Sequence, residues 1–184
     1  MKTRKVQVQS LGLFPLPLVI LPNESTRLHI YESQFKSLVN DCFASGKDFV
    51  IVNTINGKPS KYGTCVKLID VERFYPDGKM DIKVEGYAMA KITNTIQGKD
   101  IPYVIGEAEI IDSGLPEIYS EELLQLFNSY CLVTGNKELN SNKPISLFEM
   151  AKHIELSKET KAQILRNADN TLMHSKIILN ELRL

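Results

Sequence analysis

The sequence predicts an α+β protein: a small β-barrel or strongly bent sheet with one inserted helix, followed by an all-α part. Three observations carry this expectation. Short runs of alternating apolar and polar residues fill the first 112 residues, and hairpin-type turn signals separate them. Beyond residue 113 the apolar spacing changes from two to 3.6. The expected division is therefore 1–112 and 113–184, with turn residues clustered at Asp112-Ser113-Gly114-Leu115-Pro116.

The elements follow in order. Leu13 to Pro22 packs seven large apolar side chains around three prolines. Proline supplies no amide to a central ladder, so this stretch reads as an edge strand and a buried crossing loop, or in part as an exposed apolar patch. Thr26 to Ile30 alternates, with Leu28 and Ile30 on one face and Arg27 and His29 on the other. Tyr31, Phe35, Leu38, Val39 and Cys42 then fall on one stripe of a helix that stops at Gly46. Phe49 to Thr54 is a β-branched run closed by Asn56-Gly57. Val66 to Phe74 and Met80 to Ala90 flank Tyr75-Pro76-Asp77-Gly78-Lys79, the clearest hairpin in the chain. In its second strand Met80, Ile82, Val84, Ala88 and Ala90 are expected to share one face. Val104 to Ile111 adds one more strand.

The second part reads as four helices. Leu123, Leu126, Phe127 and Tyr130 make one stripe, and Leu147, Met150, Ala151 and Ile154 another. Ser146 with Glu149 forms a capping box, Ser157 caps a third helix, and Leu172, Leu179 and Leu182 mark a fourth. Gly135 to Pro144 is a polar loop.

Composition narrows the function classes. The 22 basic and 22 acidic residues cancel, and residues 1–115 hold 14 and 13 of them, so neither part has the positive excess that drives backbone binding to nucleic acid. Cys42, Cys65 and Cys131 are an odd, scattered set without C-x-x-C, which fits a reducing compartment. Lys2, Arg4 and Lys5 ahead of the apolar run mimic a signal peptide, but Pro15 and Pro17 interrupt it and the run is too short to span a bilayer. A cytoplasmic protein with no membrane association is expected.

No catalytic motif is legible. The Gly-Lys pairs at Gly46, Gly57, Gly78 and Gly98 lack the spacing and hydroxyl of a phosphate loop, and no G-x-G-x-x-G or G-x-S-x-G occurs. His29, His153 and His174 are far apart, without metal-ligand spacing. Cys42 and Cys131 lie on apolar helix stripes, and Glu121-Glu122 suits a helix start. No catalytic residue, metal or cofactor is expected. His29, beside Arg27 and next to Tyr31, is either a contact residue or a solvated bystander.

The opening Leu13-Phe14-Pro15-Leu16-Pro17-Leu18-Val19, then Leu21-Pro22-Asn23, then Leu28-His29-Ile30-Tyr31-Glu32 running to Leu38-Val39, resembles the start of the Lon protease N-terminal domain family. Gly63-Thr64, the hairpin from Asp77-Gly78-Lys79 to Gly86, and Pro102-Tyr103-Val104 resemble later motifs of that family. The chain departs from the pattern at Asn23, at Gln34 and at Ala88-Met89-Ala90.

The resemblance implies a PUA-like β-barrel followed by helices, and a substrate-binding domain without the ATPase and peptidase segments of the full protease. On that footing the protein is a non-enzymatic recognition module. Its expected partners are unfolded or client proteins, with a protease or chaperone as companion. The expected protein-binding residues are Phe14, Leu16, His29, Tyr31 and Phe35. PUA-like folds also bind RNA, which is the alternative that the balanced charge disfavours.

Overall fold

The structure, a computed structural model, describes residues 7–111, 121–135 and 146–183. The chain divides into two units, Met1–Ser113 and Gly114–Leu184. In the first unit the described elements are β1 (Gln7–Leu16), β2 (Ser25–Ile30), α1 (Ser33–Ser45), β3 (Phe49–Ile55), β4 (Lys58–Phe74), β5 (Met80–Gln97) and β6 (Val104–Ile111). The second unit holds α2 (Glu121–Thr134), α3 (Leu147–His153), α4 (Lys158–Arg166) and α5 (Thr171–Leu182). The fold is thus mixed α+β. The polar loop after Gly135, the turn cluster at Asp112 to Pro116 and the basic Lys2, Arg4 and Lys5 lie outside the described residues. None of the described helices is long and apolar enough to cross a membrane.

The strands form one sheet in the order β2-β5-β4-β3-β1-β6, and β6 also pairs with β5. Hydrogen bonding therefore runs β5-β4-β3-β1-β6 and back to β5, and β2 is attached to the outside of that circuit. All pairings are antiparallel except β1 with β3.

β1 changes partner along its length. Gln7 to Gly12 pair with β6 and Gly12 to Leu16 with β3, so Pro15 sits where β1 has a neighbour on one side only. A residue without an amide hydrogen is tolerated there. The remainder of the proline-rich run is a crossing loop, fastened by the Thr64 hydroxyl, which donates to the Ile20 carbonyl at 2.5 Å. Asn23, at φ 70°, donates its amide to Gly86 O at 2.7 Å.

Two cores lie on opposite faces of the sheet. Phe14, Phe49, Ile51 and Val66 pack with the buried face of α1 and with Leu28, Ile30, Met80, Ile82 and Val84. Leu11, Leu13, Val50, Val52 and Cys65 pack with Ala88, Ala90, Ile92, Ala108 and Ile110. The second core is rich in small residues, as a tightly closed circuit of strands requires. The five β5 residues expected on one face are all buried but divide between the two cores. The cause is a bulge: Val66 pairs with Gly86 and Cys65 with Ala88, so Tyr87 is the extra residue and the alternation switches sides there.

The Asn56-Gly57 turn has φ of 50° and 74°, the doubly positive geometry that two-residue hairpins favour. β4 starts straight after it, eight residues before the expected Val66, and Gly63-Thr64 lie inside the strand. Gly46, at φ 67°, ends α1 as expected. Tyr31 is not on the helix stripe, because Glu32 is extended and serves as N-cap.

In the second unit Ser146 accepts from the Glu149 amide at 3.1 Å and Ser157 from the Thr160 amide at 3.0 Å, so both caps form. Leu123, Phe127 and Cys131 are the buried residues of α2. In α5 Leu172 faces solvent, and His174 and Ile178, four residues apart, are the buried residues. The His174 ring supplies the polar contact that this burial needs, with Nε2 3.0 Å from Ile164 O.

A methyl group at Gly63 would collide with the Ile51 carbonyl oxygen and lie 2.9 Å from Val50 Cγ1 and 3.0 Å from Val52 Cγ1. Gly63→Ala is therefore expected to destabilise the protein by about 1–3 kcal/mol in urea unfolding. An unchanged midpoint would contradict this close approach.

Candidate functional site

β2, the first half of β5 and the last half of β4 lie side by side outside the closed circuit of strands. Their alternation turns Leu28, Ile30, Met80 and Ile82 into the core and Arg27, His29, Asp81 and Lys83 to the other face. One row crosses all three strands, with His29 opposite Asp81 and Asp81 opposite Arg73.

This row is a connected network. His29 Nδ1 lies 2.6 Å from Asp81 Oδ1, and the Tyr75 hydroxyl donates to Asp81 Oδ2 at 2.7 Å. The His29 ring stacks on Tyr31 with centroids 6.2 Å apart and meets Tyr75 edge-on at 5.7 Å. Arg73 covers the Tyr75 ring at 4.9 Å. To one side Arg27 Nε donates to both Glu72 oxygens at 2.9 and 2.8 Å. At the hairpin tip Asp77 holds Lys79 at 2.7 Å, and Lys36 of α1 reaches the Asp77 carbonyl at 3.4 Å. The Tyr31 ring at the border of this network is 60% exposed.

The hydrogen bond from His29, then that from Tyr75, holds the Asp81 carboxyl below the usual carboxylate range. The same bond to Asp81 pushes the Tyr75 hydroxyl above the ordinary tyrosine value. Groups tuned for proton transfer shift toward neutral pH, whereas these two shift away from it. Burial raises the Cys42 thiol to about 11 and the Cys65 thiol to about 12, which favours the protonated form of both near neutral pH. Cys131 is buried. Among the described residues no three His, Cys, Asp or Glu side chains come together as a metal-binding group. What the arrangement provides is an exposed surface of mutually contacting rings and paired charges.

The five residues singled out from the sequence divide between core and surface. Phe14 and Phe35 are buried with ring centroids 4.1 Å apart, so they support the surface and are withdrawn from it. Leu16 is half-buried against the same core. His29 and Tyr31 are exposed and adjacent. Arg73, Tyr75 and Asp81 complete the site and were not singled out. The signal for Asp81 was present in the hairpin, since a strand paired to β2 must place one of its polar residues opposite His29.

The family model of the ATP-dependent protease La (LON) substrate-binding domain matches residues 10–178. The chain belongs to this family. Among solved structures it is similar to a Lon N-terminal domain protein from Xanthomonas campestris, with TM-score 0.68, 22% identity, and 90% of this chain and 97% of that one covered. It is also similar to the N-terminal domain of a Mycobacterium avium complex Lon protease, with TM-score 0.57, 11% identity, and 95% and 98% covered. No curated protein matches it. In this Lon-family chain the phenylalanines of the opening motif lie in the core, while its His29 and Tyr31 meet Tyr75 and Asp81 of the hairpin motif at the surface.

Because the folded pKa of Asp81 is depressed, the stability its contacts contribute is complete above the ordinary carboxylate range and is lost as pH falls through the depressed value. In an NMR titration of the Asp81 carboxyl, His29→Ala is expected to move its pKa upward and Tyr75→Phe to move it upward by less. Titration unchanged by both variants would contradict the network.

Proposed function

We propose that this chain is a non-catalytic recognition module for unfolded or client proteins, and that the face carrying Tyr31, His29, Tyr75 and Arg73 meets them. In this reading the closed circuit of strands is a PUA-like β-barrel over 1–112, and the helices over 113–184 form a subdomain appended to it. The observation that carries the reading is Tyr31, a large ring left in water and stacked on a His29 that is itself anchored to Asp81. Aromatic side chains held rigid before binding lose little entropy on contact and are the commonest anchors of protein interfaces. Membership of a substrate-binding family supports the same assignment. The Asp81 carboxyl and the Tyr75 hydroxyl, both shifted away from neutral pH, suit a contact role.

The test is fluorescence anisotropy with labelled, reduced and carboxymethylated lactalbumin, a permanently unfolded protein. Tyr31→Glu is expected to weaken binding about tenfold, equivalent to roughly 1.4 kcal/mol, while leaving thermal unfolding unchanged. Absence of binding to this and to several other unfolded proteins would sink the proposal.

A further inference from the structure

β2 is an open sheet edge. It pairs with β5 along all six residues without a bulge, and among the described residues no second strand lies on its other side. The direction of its backbone groups follows from one hydrogen bond: the Gly86 amide donates to Glu24 O at 2.9 Å. In an antiparallel ladder of this register Thr26, Leu28 and Ile30 turn their backbone groups toward β5, as the Glu24 carbonyl does, and Ser25, Arg27 and His29 turn theirs outward. Three amides and three carbonyls therefore face outward along about 20 Å of regular strand.

We propose that this edge receives an extended segment of the client polypeptide as an added antiparallel or parallel strand. The inference rests on the recognition reading above and names how the client is held. The unpaired amides and carbonyls define the partner, since only another extended backbone can satisfy a row of alternating donors and acceptors. The side chains on this face are compatible with varied sequences. Arg27 is neutralised by Glu72 and His29 is held by Asp81, so a passing client meets compensated charges and the Tyr31 and His29 rings. Backbone pairing combined with such tolerance suits unfolded chains that share no sequence.

Two competitors fit less well. The outer edge of β4 beyond Val66 also lacks a second strand among the described residues, but register shifts at Leu68/Asp70 and Val71/Arg73 twist it. A second copy of β2 fits less well because, in the antiparallel registers of fullest overlap, Arg27 meets Arg27 or His29 of the other copy, which crowds two already paired side chains, Arg27 with Glu72 and His29 with Asp81, onto one spot.

Amide hydrogen exchange on the full chain tests this, with reduced, carboxymethylated lactalbumin as probe. At free probe about ten times Kd, exchange at Ser25, Arg27 and His29 is expected to slow about tenfold, while Thr26, Leu28 and Ile30 keep their existing protection. Arg27→Pro removes an outward amide at a position where an edge strand tolerates proline, and should weaken binding about tenfold; a loss as large in Arg27→Ala, which keeps that amide, would overturn the backbone assignment. Binding without slowed exchange at these three amides overturns the edge assignment and leaves the recognition reading standing. No binding overturns both. Slowed exchange that appears on concentrating the protein without probe assigns the edge to a second copy and overturns the client assignment.

Discussion

β3 is buried on both faces, and its side chains serve two cores at once: Phe49 and Ile51 pack toward α1, and Val50 and Val52 toward the small-residue core. A strand in that position cannot slip by one residue without exchanging the two sets, so its register is tightly specified. The neighbours of β3 obey the same division. β1 sends Phe14 one way and Leu11 and Leu13 the other, and β4 sends Val66 and Cys65 to opposite sides. The bulge at Tyr87 lets β5 join both cores in turn. Its second half pairs with β6 and closes the circuit, while its first half leaves the circuit with the end of β4 and accepts β2. The ring-bearing face exists because the hairpin must leave the closed part of the sheet to serve the first core.

The elements set by local chemistry were legible. α1 follows from its apolar stripe and a glycine at positive φ, the hairpin tip from Pro76 and Gly78, and the caps of α3 and α4 from Ser146 and Ser157. What escaped was decided by tertiary context. Gly63 lay ahead of the strand expected from Val66 and Gly86 inside the one expected from Met80, with no sign in either pattern that another backbone passes there too close for a side chain. The division of β5 between two cores depends on one unpaired residue, which leaves no mark in hydrophobic periodicity. Leu172 fitted a helical stripe but is exposed, while His174 took the buried position because its ring has a carbonyl to meet. The candidate site was half legible for the same reason. His29 and Tyr31 belong to one short strand and its exit, whereas Arg73, Tyr75 and Asp81 reach them only through cross-strand register.

The cores and the exposed polar network are separated on this scaffold. The phenylalanines of the opening motif, Phe14 and Phe35, pack on each other and hold α1 against the sheet. The polar network on the opposite face leaves the cores untouched and orders rings at the surface. A surface built in this way can change its side chains with little effect on folding, because removing exposed, mutually compensated groups leaves neither a cavity nor a buried charge.

The double partnership of β1 also has a kinetic side. Gln7 is held against Ile110, about a hundred residues further along the chain, and closing so long a loop carries an entropic cost before any contact repays it. During synthesis β3, β4 and β5 all precede β6, which is the last strand to emerge. Until then β1 has only its parallel neighbour, and β5 lacks its last one. The circuit therefore closes late, and the nascent protein carries unpaired strands of its own at the stage when a newly made chain most needs to avoid its neighbours.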